Sequence, residues 1–215
     1  MKKIFVTLAG TILACQAGSA FAGDTDRTWI VRAGITQLTL SDKLDLTVGG
    51  ATVPGAALNT KTHYTPSIQI SRFLTDHWAF SATVGIPPHI KLNGGGTVAA
   101  YGKLGETTYG PTAFTMQYHP LREGTVRPYV GLGASYMIIF STKDAALQNV
   151  KMTNDLAPAI ELGSDFMFDE RHGMFLEVKK AWLSSKATGT LGGYPVVGKA
   201  SVAPLVVSAG TNFRF

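Results

Sequence analysis

Six charged side chains stand at alternate positions within four segments that are otherwise apolar or small. They are three cations and three anions: Arg32, Glu161, Asp165, Glu177, Lys179 and Arg214. Alternate positions of a β-strand share one face, so each segment, if it is a strand, directs its charges to the same side. Because buried charges are costly unless they are paired, we predict an ionic network in the interior that these segments enclose. Two roles stay open for it, a plug that only stiffens the interior and a gate.

Residue types that support catalysis are sparse. A nucleophilic hydrolase needs a Ser or Asp beside a His base that a carboxylate holds in place. The histidines are His63, His77, His89, His119 and His172. His77, His119 and His172 fall beside short turns. The enzyme alternative would therefore use His63 or His89 with a Ser or Asp of a loop, and the sequence has no serine-elbow motif. No His/Cys cluster has metal-site spacing. We therefore predict no catalytic residue, no metal and no cofactor.

The first residues have the layout of a secretory signal peptide. Two lysines precede an apolar run, Ile4–Ala14, and Ala20–Ala22 forms an A-x-A cleavage site. The run is too short to span a bilayer as a helix, which needs about 20 residues. We predict a cleaved signal peptide over residues 1–22 and a single domain over residues 23–215. The alternative is a lipoprotein box with a lipidated Cys15.

Removal of this segment changes the bulk properties of the chain. The whole sequence has 19 Lys and Arg against 14 Asp and Glu, a net charge of +5, and the loss of Lys2 and Lys3 leaves 17 − 14, or +3. No basic cluster or stacking motif accompanies this excess, so nucleic acid is not an expected partner. Cys15 is the only cysteine. The mature domain therefore has neither disulfides nor thiolates.

Strands must position these charged residues, and eight stretches alternate apolar with small or polar residues at the period of a β-strand. They are Trp29–Leu40, Tyr64–Leu74, Trp78–Ile86, Thr108–His119, Pro128–Phe140, Asp155–Phe168, Met174–Ser184 and Ser201–Phe215. Short connections lie between the second and third, fourth and fifth, and sixth and seventh stretches. The other connections are long and rich in glycine: Ser41–Thr62, Pro87–Thr107, Ser141–Asn154 and Ser185–Ala200.

This sorting of connections separates a membrane barrel from a soluble β-sandwich, the rival fold. An even number of strands about 10 residues long, with short turns at one end and long loops at the other, is typical of a bacterial outer-membrane barrel. We predict an all-β fold, an eight-stranded antiparallel transmembrane β-barrel in the bacterial outer membrane, with short periplasmic turns and long extracellular loops. Its outer face contacts lipid, and Phe215 resembles the signal that the barrel-insertion machinery recognises.

Several motifs resemble those of the outer-membrane protein W family. They are Trp29–Gly34, Tyr109–Pro111 ahead of Gln117–His119, Arg127–Gly133 and the closing Phe215. Within the family, Leu46–Gly50 and Thr188–Gly192 look closer to the alkane-uptake branch. The resemblance covers nearly all of the mature chain. It implies an eight-stranded barrel with an apolar lumen, which admits small hydrophobic molecules and releases them sideways into the membrane. A barrel of this size is too narrow to be a general porin.

The long loops carry apolar side chains, although loops in water are usually polar. Those of the predicted entrance are Leu46, Val48, Val53, Leu58, Leu92, Tyr101, Leu104, Leu147, Leu191 and Tyr194. One interpretation is an apolar funnel that collects small hydrophobic solutes past the lipopolysaccharide, because apolar binding sites are lined in this way. The other is that these side chains pack on each other and only extend the barrel.

A proline pair marks the predicted exit. Pro87 and Pro88 follow the third stretch, and proline has no amide hydrogen with which to pair a neighbouring strand. We predict a lateral window into the outer leaflet at this position, with the alternative that these prolines only end the strand. A different class of function also stays open, a structural or receptor barrel that binds a host, phage or colicin partner without transport. An open apolar lumen above the ionic network would distinguish the channel from the receptor.

Overall fold

The computed structural model describes residues 28–40, 43–60, 62–201 and 204–215. The predicted signal peptide, residues 1–22, and Cys15 lie outside the described residues. Within these ranges the chain forms fifteen strands and one short 3-10 helix at Ala99–Tyr101. The strands are β1 (Trp29–Thr39), β2 (Leu44–Val48), β3 (Ala51–Thr52), β4 (Ala56–Asn59), β5 (His63–Phe73), β6 (Trp78–Gly85), β7 (His89–Gly96), β8 (Lys103–Tyr118), β9 (Val126–Asp144), β10 (Gln148–Met152), β11 (Asp155–Met167), β12 (His172–Ala181), β13 (Ser184–Leu191), β14 (Tyr194–Ser201) and β15 (Leu205–Arg214). No helix in the described part of the chain is long and apolar enough to cross a membrane.

Eight of the strands close into an antiparallel barrel. Their order is β8-β6-β5-β1-β15-β12-β11-β9, and β9 pairs back onto β8. The first and last barrel strands pair along their length, from Ile30 opposite Arg214 to Thr39 opposite Leu205. Closure removes the sheet edges whose unpaired amides a bilayer would not tolerate. The predicted eight-stranded barrel is therefore confirmed, with most strand bounds within two residues of the expected ones.

Side chains alternate between the lumen and the outer surface, as the period of two predicts. On β9, Tyr129 is fully buried in the lumen, whereas Leu132 is 69% exposed on the outside. On β15, Asn212 and Arg214 are buried while Phe213 faces outward. The outer surface of the barrel is thus a continuous apolar band, which suits contact with lipid.

The long connections differ from the prediction, because they are largely strands rather than loops. β4 and β7 add to the barrel sheet through β8, and a second sheet has the order β10-β13-β14-β2-β3. We call these seven strands the extension, and the barrel end that carries them the loop end; the opposite end is the turn end. β8 and β9 also run past their predicted bounds into the extension, where they pair as far as Gly105 opposite Asp144.

Two glycine pairs explain part of this difference. Gly49-Gly50 joins β2 to β3 and Gly192-Gly193 joins β13 to β14, and all four glycines have positive φ, between 57° and 87°. A two-residue hairpin turn with positive φ at both positions matches the twist of the flanking strands and favours glycine. These pairs are therefore hairpin signals inside the segments predicted to be loops.

Candidate functional site

Toward the turn end, the lumen is crossed by a buried arginine. The guanidinium of Arg32 on β1 donates two hydrogen bonds to the carboxylate of Asp165 on β11, at 2.8 and 2.7 Å. It also donates to Gln69 Oε1 at 2.9 Å and to Ser71 Oγ at 3.1 Å on β5. Arg32 is 0% exposed. This bidentate pair therefore fastens opposite walls of the barrel, and its geometry restricts both side chains.

A buried lysine continues this arrangement on the neighbouring strands. The ammonium of Lys179 on β12 lies 3.0 Å from Glu161 Oε2 on β11 and also contacts Glu177 Oε1. Glu161 Oε1 accepts hydrogen bonds from Thr115 Oγ1 at 2.8 Å and Gln117 Nε2 at 2.6 Å. The buried lysine is thus held between two carboxylates, and one of these is held in turn by polar side chains of β8.

Glu177 connects the two clusters. Its Oε2 accepts hydrogen bonds from the Tyr129 hydroxyl at 2.9 Å and from Gln69 Nε2 at 3.0 Å, and Gln69 also binds Arg32. We call the five charged residues Arg32, Glu161, Asp165, Glu177 and Lys179 the ionic layer. Two cations and three anions give it a formal charge of −1. Buried charges persist only when paired and hydrogen-bonded, and each member here has such partners.

Aromatic rings and glycines fill the rest of this level. The Arg32 guanidinium lies 4.4 Å from the centre of the Tyr129 ring, and His119 stacks on the same ring with a centroid distance of 5.0 Å. Gly163 faces Tyr129, and a Cβ there would overlap the phenol ring. Gly131 leaves the same kind of space for Glu161. The lumen is therefore filled with side chains at this level.

Five of the six predicted lumen charges thus meet in one layer, and the sixth does not. Arg214 is buried at the turn end, where Nη1 donates to the Arg122 carbonyl at 3.2 Å and the guanidinium lies 5.4 Å from the Phe73 ring. The register explains the difference: on β15, Asn212 is the residue opposite Arg32, and Arg214 lies two positions nearer the turn end. The alternation along the strand predicted that Arg214 faces the lumen, but it did not predict how far along the barrel Arg214 lies.

A cavity opens in the lumen above the ionic layer. Its empty space, part of which is open to solvent, is about 680 Å³, and we call it the lower cavity. Lys179 and a triad of hydroxyls line its floor: Thr36 Oγ1 lies 2.6 Å from Ser67 Oγ and 2.8 Å from Ser208 Oγ. Its upper wall is mainly apolar and includes Leu38. The polar groups at the floor bind each other, so the space above them offers an apolar surface.

A second, smaller cavity lies nearer the loop end, at the junction of barrel and extension, and we call it the upper cavity. Its empty space, part of which is open to solvent, is about 410 Å³. Tyr109 lines both cavities, and it belongs to one buried apolar cluster with Ile90 and Met137, which line the upper cavity. We call these three side chains the constriction. Each is nearly inaccessible to solvent, and Tyr109 is the one described residue that both cavities share.

The ten predicted entrance residues divide into three groups. Leu46, Leu58 and Leu104 are buried in the apolar cores of the extension, and Val48, Val53, Leu92, Leu147 and Leu191 pack against those cores. Leu58 and Leu92 also line the upper cavity. Tyr101 and Tyr194 are 51% and 64% exposed and belong to neither core. Most of the ten therefore extend the barrel as a packed structure, and two of them also face a cavity.

The proline pair lies at an interruption of the barrel wall. β6 pairs with β8 as far as Val84 opposite Thr112, and pairing resumes only where His89 of β7 stands opposite Thr108. Residues 85–88 and 109–111 have no strand pairing with each other; we call this the wall break. Gly85 and Pro111, on its two sides, both line the lower cavity. The wall break thus borders the lower cavity directly.

The histidines of the enzyme alternative lie away from both cavities. His89 Nδ1 lies within hydrogen-bonding distance of Thr108 Oγ1, at 3.0 Å, and its Nε2 lies 2.8 Å from Glu106 Oε2. Ile90, the next residue, points into the constriction, so His89 faces the outside of the sheet. His63 begins β5 at the loop end. In the described ranges no group of three or more His, Cys, Asp or Glu side chains is placed to hold a metal ion.

Known proteins share this architecture. A model of the OmpW family matches residues 26–215. The chain is 30% identical over 205 residues to the dibenzothiophene metabolism operon protein PahQ of Pseudomonas aeruginosa, covering 94% of this chain and 95% of PahQ. It is 28% identical to outer membrane protein AlkL of Ectopseudomonas oleovorans, covering 90% and 85%.

Solved structures agree with these matches. The NMR structure of AlkL in lipid bilayers superposes with a TM-score of 0.73 at 28% identity, covering 92% of this chain and 94% of that one. The crystal structure of OprG from Pseudomonas aeruginosa gives a TM-score of 0.80 at 23% identity, covering 87% and 95%, a likeness that bears on the fold alone.

Proposed function

This chain belongs to the OmpW family, and we propose that it is a channel for the passive uptake of small hydrophobic molecules across the outer membrane. It is an outer-membrane barrel, as are the proteins that it resembles. Those relatives are barrel proteins rather than enzymes. The name of PahQ connects that protein with an operon for the metabolism of dibenzothiophene, an apolar compound.

One observation carries the proposal: an apolar cavity is closed beneath by the ionic layer and bordered at its side by the wall break. The ionic layer fills the barrel with buried side chains, of which Arg32 and Asp165 are almost completely inaccessible. A solute in the lower cavity therefore has no straight path to the periplasm. A lateral path between β6 and β8 leads instead to lipid, where an apolar solute is more soluble than in water.

The proposed route has three stages. A solute enters through the extension, where Leu58 and Leu92 line the upper cavity. It then passes the constriction into the lower cavity, where Tyr109 borders both spaces. It leaves at the wall break beside Pro87 and Pro88 into the outer leaflet. No energy source is required, because transfer of apolar surface from water to lipid is favourable.

The charges of the lumen favour neutral solutes. Lys179 is the cation at the floor of the lower cavity, and Glu161 and Glu177 already bind it. The layer as a whole carries a formal charge of −1, so an anion in the cavity would lose hydration and meet net repulsion. Octane and octanoate, which have the same chain length, should therefore behave differently.

The test is uptake into intact cells with and without this protein. We expect faster entry of octane when the protein is present and no change for octanoate. Uptake that is unchanged for both solutes, with the barrel shown to be folded in the outer membrane, would overturn the channel and favour the receptor alternative. Faster entry of both would contradict the closed, charge-excluding lumen.

A further inference from the structure

Tyr109 occupies a singular position in the lumen. Among the described residues it alone lines both the upper and the lower cavity. Its ring belongs to the apolar constriction with Ile90 and Met137. The side chain is only 4% exposed, and its hydroxyl has no hydrogen-bond partner among the described residues.

An unpartnered hydroxyl in such a place is costly. Burying a hydroxyl group without a hydrogen bond is unfavourable, and buried polar groups in folded proteins are nearly always satisfied. Phenylalanine would fill the same space between Ile90 and Met137 without this cost. The other hydroxyls of the lumen are satisfied: Thr36, Ser67 and Ser208 bind each other at the floor of the lower cavity. The hydroxyl of Tyr109 is therefore available to a molecule that passes the constriction.

We infer that Tyr109 determines specificity, and that its hydroxyl hydrogen-bonds the single polar atom of a solute that is otherwise apolar. This inference rests on the proposed uptake function. The substrate class is a neutral medium-length molecule with one oxygen, such as a ketone, an ester or an alcohol. Apolar surfaces on either side of Tyr109 accept the hydrocarbon parts, and the hydroxyl replaces the water that the oxygen loses on entry.

Ionic amphiphiles fall outside this class. The cation nearest to the cavities, Lys179, is neutralised by Glu161 and Glu177, so it provides no free partner for a carboxylate. A phenol hydroxyl alone does not compensate for the removal of a full charge from water. The selected solutes are therefore neutral.

The experiment compares 2-octanone with octane, which have the same number of carbon atoms, in cells that carry the wild-type protein, the Tyr109→Phe variant or no protein. We expect Tyr109→Phe to lower the ratio of 2-octanone uptake to octane uptake about fivefold, the effect of one neutral hydrogen bond. The matched control is Tyr64→Phe, which removes a hydroxyl from the outer surface of the barrel, where it donates to Gln37 Oε1 at 3.2 Å. It should alter neither rate.

Each other outcome decides the matter. If Tyr109→Phe leaves 2-octanone uptake unchanged while octane still enters faster than in cells without the protein, the inference is overturned and the channel stands. An equal loss for both solutes also overturns it, because Tyr109 would then act only by packing. If octane enters no faster with the wild-type protein than without it, the proposed function itself fails and the inference fails with it. The amount of folded barrel in the outer membrane is measured for every variant.

Discussion

Toward the turn end the lumen holds the five charged side chains of the ionic layer, whereas toward the loop end it holds two cavities that both contact Tyr109. The same strands build both halves. β8, for example, contributes Thr115 and Gln117 to the lower half and Tyr109 to the upper. The difference therefore comes from the side chains and not from the barrel geometry.

The two halves show what polar and apolar filling do to a narrow barrel. Hydrogen bonds and ion pairs have fixed lengths and directions, so the lower half has one arrangement that satisfies its members. Apolar contacts are non-directional, and the upper half can open and close spaces at small cost. We propose that the lower half stabilises and closes the barrel while the upper half accommodates the solute.

The largest expected effect comes from breaking the lower half. Arg32→Met leaves the Asp165 carboxylate buried without its cation, which should lower the free energy of unfolding by about 3 to 5 kcal/mol. Urea unfolding in phosphocholine vesicles measures this. The matched control is Arg72→Met, because Arg72 is exposed and its guanidinium lies over the Trp29 ring, 5.3 Å from the ring centre. Its loss should cost less than about 1 kcal/mol.

A double variant keeps this prediction decisive even if Arg32→Met folds poorly. Arg32→Met combined with Asp165→Leu removes both charges and should recover much of the lost stability, because apolar replacement of a buried pair is often neutral. Equal stability of Arg32→Met and the wild type would contradict the role given to the ionic layer.

A smaller effect is expected in the upper half, on transport and not on stability. Replacing Pro87 and Pro88 together by Val supplies amide hydrogens at the wall break. One added hydrogen bond to β8, worth about 1 kcal/mol, should close the wall and slow octane uptake about fivefold. The control is Pro158→Val, since Pro158 lies opposite Ala134 in the unbroken ladder of β9 and β11. If the double valine variant takes up octane at the wild-type rate, the exit is elsewhere.

The smallest effect concerns an exposed charge at the turn end. Backbone hydrogen bonds from His172 and Arg171 lower the pKa of Asp169 to about 2. A carboxyl whose pKa is lower in the folded state stabilises the fold above its unfolded pKa, near 3.9, and loses that contribution as the pH falls toward 2. Asp169→Ala should therefore be slightly less stable than the wild type at pH 7, with the difference vanishing between about pH 4 and pH 2.

The same unfolding titration checks this prediction across pH. Asp76→Ala, in the turn between β5 and β6, is the control for a lost exposed carboxylate. If Asp169→Ala lost as much stability at pH 7 as Arg32→Met does, buried and exposed charges would not differ in their effect on this barrel, contrary to the account.

The alternation of residues along the strands was enough to predict most of the fold and about half of the candidate site. It placed Arg32, Asp165 and Glu177 in the lumen because the side-chain period of a strand is two. It could not show that Arg32 meets Asp165, because the two residues are 133 positions apart and their encounter depends on strand order and register. Gln117 and Tyr129 had the right parity but no charge to single them out.

The upper half was less predictable for a physical reason. Cavities depend on how apolar side chains pack, and a sequence pattern fixes only the face on which each residue lies. Tyr109 has the parity of a lumen residue, yet its unpartnered hydroxyl appears only once its neighbours are placed. The extension was readable in part, since Gly49-Gly50 and Gly192-Gly193 are hairpin turn pairs.

The central claim, lateral exit at the wall break, is tested most directly by locking that break. Gly85→Cys combined with Pro111→Cys places two thiols across it, since a Cβ at Gly85 would lie 3.4 Å from Pro111 Cγ. The control pair, Ala134→Cys with Pro158→Cys, spans the regular ladder of β9 and β11. We predict that oxidation slows octane uptake through the first pair only, and that reduction restores it. Undiminished uptake by the fully cross-linked first pair would contradict the account.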